Sequence, residues 1–274
     1  MSTHEPEAIV DEPLVLYEVT DGVAVLTLNH PERRNALSRS MLMDLKEQLQ
    51  RSSADPAVRV VILRATGRVF SAGHDLRELV ARPEAEHASL FALCTDVMET
   101  IRKLPRPVIA QVQGLATAAG CQLVATCDLV VASEDAAFAT PGVKIGLFCT
   151  TPAVALSRAV APKKAMEMLL TGTPISATEA ERAGLVNRVV PADRLADETM
   201  KLARQVAASS THTVTLGKRA FYEQLPLDRP AAYQVAQRVM VENAASGDAQ
   251  EGMRAFLEKR PARWHDSIRG ESNS

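Results

Sequence analysis

Along the chain, apolar positions change period in a regular way. Residues 14–19 and 23–28 are apolar, β-branched runs joined through Asp21-Gly22, a dipeptide suited to tight reversals, so the chain is predicted to open with a β-hairpin. Ser38 then stands where a helix cap belongs, and Met41, Leu42, Leu45 and Leu49 recur at helical spacing until Asp55-Pro56 breaks the pattern. Residues 58–65 carry little outward polarity and read as a buried strand. A helix over about residues 87–104 places Phe91, Cys94, Met98, Ile101 and Leu104 on one face, with Pro105 and Pro107 ending it. Residues 108–112 read as a third strand, leading through Gly114 to a helix over 118–127, and 129–132 as a fourth.

Strand, turn and helix thus recur through two thirds of the chain, and the strand signal ends near residue 192. Helical segments follow at about 193–208, 213–224, 229–245 and 248–259. This predicts an α/β body over residues 10–195, a helical region over 196–265 that is either a small second domain or a set of helices packing on another subunit, and flexible tails at 1–9 and 266–274.

Composition narrows the classes. The 274 residues are 46% hydrophobic and 23% charged, which excludes a disordered chain. The 31 basic and 33 acidic side chains leave a net charge of −2, so no general attraction to nucleic acid is expected. Residues 108–127 form a twenty-residue stretch without formal charge, but three glutamines and two glycines favour a strand, a turn and a small-residue helix over a membrane span. Cys94, Cys121, Cys127 and Cys149 show neither paired spacing nor histidines at metal-ligand spacing, so neither disulfides nor a metal site is expected. The acidic first residues lack the features of a secretory or transit segment, which reads as a cytoplasmic protein.

Dinucleotide, P-loop, nucleophile-elbow and zincin motifs are missing from the sequence. Two turns of small residues stand out, Ser71-Ala72-Gly73-His74-Asp75 and Gly114-Leu115-Ala116-Thr117-Ala118-Ala119-Gly120, each read as linking a strand to a helix. Such turns can aim free peptide N–H groups outward, and two of them meeting would stabilise an enolate-like oxygen.

The same residues carry a resemblance. Phe70-Ser71-Ala72-Gly73-His74-Asp75-Leu76, the run from Val112-Gln113-Gly114 to Cys127-Asp128, and Phe138-Ala139-Thr140-Pro141-Gly142-Val143-Lys144-Ile145-Gly146-Leu147 resemble three ordered signature blocks of the crotonase superfamily of enoyl-CoA hydratases and isomerases. Asn29-His30-Pro31-Glu32-Arg33-Arg34-Asn35-Ala36-Leu37 upstream and Phe256-Leu257-Glu258-Lys259-Arg260 downstream extend the match over residues 14–264, and the chain resembles the divergent hydratase-domain-containing branch.

The resemblance implies a spiral of ββα units, a C-terminal helical trimerisation region and assembly as a trimer or hexamer. It implies a coenzyme A thioester as substrate, with no permanently bound cofactor, and lyase or isomerase chemistry in fatty-acid metabolism. The thioester carbonyl would sit between the peptide N–H groups of His74 and Ala119. Arg33, Arg34 and Ala36 would lie along coenzyme A, Ala72, Asp75 and Leu76 near its adenine and pantetheine, and Phe256 and Lys259 at its nucleotide end.

The chain departs from a hydratase at two positions. Hydration needs a base and an acid, which the family supplies with two glutamates. By the resemblance, Gln122 and Gly142 stand in their places, and restoring both as glutamates is expected to raise hydration if the pocket geometry is retained. Cys149-Thr150-Thr151-Pro152-Ala153 replaces the family's glycine-rich pocket wall. Three readings remain open: enolate chemistry such as decarboxylation or weak hydration, a non-catalytic acyl-CoA carrier or sensor, and thioester hydrolysis through Cys149. The imidazole of His74, Asp75 and Asp128 read as packing, helix-start and structural groups respectively.

Overall fold

The computed structural model describes residues 13–265, so the expected tails lie outside the described residues. The opening hairpin is β1 (Val15–Thr20) against β2 (Val23–Leu28). Next comes α1 (Arg39–Ala54), whose Ser38 cap accepts the Met41 amide and whose Met41, Leu42, Leu45 and Leu49 are buried. Beyond it lie β3 (Val60–Ala65), β5 (Val108–Val112), β7 (Leu129–Ser133) and β10 (Arg188–Val190). These make a six-stranded sheet in the order β1-β2-β3-β5-β7-β10, parallel from β2 onward.

A second sheet, absent from the sequence reading, is built from β4 (Val69–Ser71), β6 (Leu115–Thr117), β8 (Ala137–Ala139) and β9 (Ile175–Ser176). Each pass through the body gives one strand to the large sheet, one short strand to the small sheet, and then a helix: α2 (Glu84–Lys103), α3 (Ala119–Thr126) or α4 (Thr150–Ala159). This is the ββα repetition that the resemblance implied. Gly114 therefore leads into a strand, β6, before α3, where a simple turn was expected. Three residues are too few to show the period of two by which strands are recognised.

The strands of the large sheet are buried on both faces. Ala24, Leu26, Leu28, Val61 and Leu63 point into the main core, while Val23, Val25, Val60 and Ile62 meet Leu195, Leu202, Ala203 and Ala207 of α7 (Leu195–Ala207). Alternation of side chains along a strand supplies both faces. α5 (Pro162–Thr171) and α6 (Ala177–Ala183) complete the body. α8 (Thr211–Gln224), α9 (Arg229–Ala244) and α10 (Gly247–Leu257) follow, and α8 and α9 each bury a single side chain, Leu216 and Val239.

Asp128 is the tether of this helical region. Its carboxylate accepts from the Val108 amide at 2.7 Å, Lys218 Nζ at 2.7 Å and Tyr222 Oη at 2.8 Å, fastening α8 to the start of β5. That is the structural role read for it. Among the described residues, no helix is long and apolar enough to cross a membrane, and all four cysteines are free and buried.

Candidate functional site

β4 and β6 lie side by side in the small sheet, so the bends that follow them are carried to the same place. Gly73 has φ +82°, and a β-carbon built on it would come within 2.8 Å of Ala118 Cβ and 3.1 Å of the Ala119 nitrogen. Only glycine supplies both that backbone angle and that approach. Ala118, the residue before α3, has φ 51° and ψ −119°, a conformation that costs a residue with a side chain ~1–3 kcal/mol. Strain of this kind turns the next peptide. Among the described residues, neither the His74 nor the Ala119 amide donates to a protein acceptor.

The two bends lead into different elements. Ala119 opens a true α-helix. His74 and Asp75 enter only a short 3-10 turn at Leu76–Glu78, where a helix was expected, so the dipole support at this bend is small. Asp75 accepts the Arg77 amide and pairs with the Arg77 guanidinium, as a turn-starting acid does.

A cavity of about 390 Å³ opens at the bends. Ala72, His74, Leu76, Ala119 and Gly142 line it, joined by Leu79, Phe91, Thr117, Leu147 and Phe148, which the sequence reading did not assign to a site. Phe91 was legible as a helix-face residue. Leu147 and Phe148 are partly exposed apolar residues after the Gly146 cap, a signal that only the fold makes meaningful. Cys149, Thr150, Thr151 and Pro152 form one wall, as the departure from the glycine-rich segment implied.

Lys144 is the cavity's charged lining residue, and its other polar groups are neutral. The His74 ring lies edge-on to Phe91, and its Nδ1 donates to the Leu37 carbonyl at 3.2 Å, which leaves Nε2 unprotonated, buried and without a partner. Burial lowers its pKa from the ordinary histidine range, so the ring is neutral at pH 7. Burial also raises the Cys149 thiol, keeping it protonated and a weak nucleophile. The Thr117 hydroxyl is buried and unpartnered. Among the described residues no group of three or more histidine, cysteine or carboxylate side chains is placed to hold a metal.

Gly142 is hemmed in. A β-carbon there would lie 2.4 Å from the Leu147 carbonyl oxygen and 2.8 Å from Cys149 Sγ. A glutamate at this position would have to displace the backbone of the following loop, which stands against the expectation that it raises hydration. Gln122 does not line the cavity with the bends. It is 5% exposed, its Oε1 has no partner, and it lines a second hollow one helical turn further along α3.

The remaining expected contacts divide. The loop carrying Arg33, Arg34 and Ala36 does not line the cavity, yet it is bonded to the first bend: Ala72 N donates to Arg34 O, and Leu37 N donates to Gly73 O. Asn35 is the hinge of this joint and was missed as such. Fully buried at φ 49°, it donates through Nδ2 to Thr66 O and Val69 O, accepts His30 N, and its carbonyl accepts Ser71 Oγ. Its place in the upstream block was the available signal. Phe256 and Lys259, at the end of α10, are not brought to the cavity of their own chain, and Phe256 is 83% exposed.

Comparison with known proteins gives the same frame. Residues 18–267 match the family model described as enoyl-CoA hydratase/isomerase. The mouse protein named enoyl-CoA hydratase domain-containing protein 3, mitochondrial, is 51% identical over 245 residues, 89% of this chain and 82% of the relative. A solved enoyl-CoA hydratase from Mycobacterium smegmatis superposes with TM-score 0.90 at 50% identity, covering 93% of this chain and all of that one. The human enoyl Coenzyme A hydratase domain-containing protein 3 does so with TM-score 0.90 at 50% identity, covering 92% and 100%. The mitochondrial names of the mouse, rat and human relatives overturn the cytoplasmic placement read from the first residues. By sequence match and by fold, the chain belongs to the enoyl-CoA hydratase/isomerase family.

Proposed function

We propose that this protein binds an acyl-CoA thioester and polarises its carbonyl between the peptide N–H groups of His74 and Ala119. The observation that carries this reading is the approach of Gly73 to the Ala119 nitrogen, with both neighbouring amides free of protein acceptors at the mouth of one cavity. Removal of one such donor costs about 2.7–4 kcal/mol in acyl-transfer enzymes, so a pair is a substantial device for holding an enolate. The apolar lining from Leu76, Leu79, Phe91 and Phe148 suits a pantetheine arm and an acyl chain.

The chemistry is enolate-type and independent of paired carboxylates. Gln122 cannot exchange protons near pH 7, and Gly142 has neither a side chain nor room for one. Decarboxylation or proton transfer through substrate-recruited water fits such a site better than rapid hydration. A non-catalytic acyl-CoA carrier or sensor is the second reading, favoured by the same two positions.

Coenzyme A would run from the cavity past the loop of Arg33, Arg34 and Ala36, with Asp75 near it. Phe256 and Lys259 would meet the nucleotide from a second copy of the chain. Self-association as a trimer or hexamer through α8–α10 is supported by the exposed Tyr233, Met240, Val241, Phe256 and Leu257, an apolar surface that a lone chain would leave in water.

The test is to offer the purified protein 2-enoyl-, 3-enoyl- and malonyl-type CoA thioesters and to follow both binding and products. Turnover of any of them supports the enzyme, and tight binding with no turnover across the panel supports the carrier. Failure to bind every thioester would end both readings.

A further inference from the structure

The second hollow, about 410 Å³, is walled by α2, α3, α4 and α8. Thr151 lines both spaces, so α4 carries one continuous wall between them: Thr150 and Pro152 face the cavity, and Arg158 lies on the hollow. From Thr151 to Arg158 is about 10 Å along a helix axis at 1.5 Å per residue. α3 runs alongside, with Ala119 on the cavity and Gln122 on the hollow.

The charges around this hollow do not cancel. Its carboxylates are already matched, Glu99 by Lys103 at 3.1 Å and Asp128 by Lys218 at 2.7 Å. Arg102 is half-buried with its guanidinium carbon 4.4 Å from the centre of the Tyr222 ring, and Arg158 donates to the Val154 carbonyl at 2.8 Å. Among the described residues neither arginine has a carboxylate partner. Gln122 lines the same hollow one helical turn beyond Ala119, nine-tenths buried with its amide oxygen unpaired. A glutamate here would set a negative charge on the way to two arginines. Glutamine leaves the way neutral and offers an N–H donor.

We propose that the acyl chain of the bound thioester passes Gln122 into this hollow and ends in a carboxylate gripped by Arg102 and Arg158. The substrate class is then a medium-chain ω-carboxyacyl-CoA. The inference rests on the acyl-CoA reading above and adds the identity of the far end. Arginine forks are suited to carboxylates in geometry as well as charge. The exchange of acid for amide at Gln122 then follows from the charge of the ligand.

The experiment is calorimetric binding of the full chain to length-matched pairs: adipoyl- against hexanoyl-CoA, suberoyl- against octanoyl-CoA, and sebacoyl- against decanoyl-CoA. The carboxylate-ended member of at least one pair is expected to bind about tenfold more tightly, or about 1.4 kcal/mol. That ratio should fall toward one in Arg102→Gln with Arg158→Gln, and should shrink in Gln122→Glu. Equal binding within every pair, or a preference that survives in the double variant, would overturn the proposal while leaving the acyl-CoA reading intact. Free adipate or suberate binding as tightly as its thioester would also overturn it, by making the hollow an independent carboxylate site. No binding of any thioester would instead remove the acyl-CoA reading itself, and this inference with it.

Discussion

The carbonyl oxygen of Leu147 lies 2.4 Å from where a β-carbon on Gly142 would stand, so the loop after Gly142 occupies the ground a side chain would need. Backbone atoms cannot swing aside as a flexible side chain can. Gly142→Ala is therefore expected to cost ~1–3 kcal/mol through overpacking, measured as a shift in the denaturant midpoint. Gln122→Glu combined with Gly142→Glu should give no gain in crotonyl-CoA hydration. A folded double variant that hydrates crotonyl-CoA faster than the parent would show that the loop yields easily.

Ala119→Pro deletes one proposed donor, and because Ala118 before it stands at φ 51° and ψ −119°, outside the extended region that a residue before proline favours, the variant is also expected to lose stability. Proline is tolerated at the first position of a helix because the N–H there has no helical partner, and Ala119 occupies that position. Whatever reaction the panel reveals should slow by about 10²–10³-fold. For a carrier without turnover, the readout is the infrared stretch of a carbon-13-labelled thioester carbonyl, shifted to lower frequency in the parent and less so in the variant. An unchanged stretch and rate in a folded Ala119→Pro protein would remove this amide from the mechanism.

His74 gives a pH dependence of defined sign. Its pKa is lowered on folding because burial disfavours the imidazolium, so the unfolded chain binds the proton more readily. Its contribution to stability is complete above the unfolded value of about 6.5 and declines as pH falls below it, toward the depressed folded value. Melting temperatures measured downward from neutral pH should fall, and His74→Asn, which retains a donor for Leu37 O, should flatten the upper part of that fall. Parallel curves for the two proteins would place the titration elsewhere.

Asn35 binds the upstream loop to the first bend. Asn35→Ala removes the side-chain hydrogen bonds to the carbonyls of Thr66 and Val69 and to the His30 amide, and places alanine at a positive φ. A loss of about 3 kcal/mol in unfolding free energy is expected, since each buried group left unpaired costs about 1–3 kcal/mol. Affinity for CoA thioesters should fall with it, because Ala72 and Gly73 are held by the same loop. A change below about 0.5 kcal/mol, the usual size at uninvolved surface positions, would deny Asn35 this role.

Much of the body was legible in the residues. The Asp21-Gly22 reversal, the helix capped by Ser38, the buried strand ending at Val112 and the helical succession after residue 192 all follow from local patterns, because hydrophobic period and capping chemistry act within a few residues. The three-residue strands β4, β6 and β8 did not, since they are held by neighbours far along the chain and carry too few positions to show a period. The compartment was misread from composition at the chain start, and the names of the relatives corrected it.

By itself the sequence determined which small residues flank the two bends, that Gln122 and Gly142 carry no acid, and that a strand with little outward polarity would be buried. Only the tertiary structure decided that Gly73 comes up against Ala119, that the Leu147 carbonyl closes the space above Gly142, and that Gln122 belongs to the hollow of Arg102 and Arg158. The division has one physical cause. Residue type and period act over neighbouring positions, whereas the meeting of two bends is set by the pairing of β4 with β6 across more than forty residues of intervening chain.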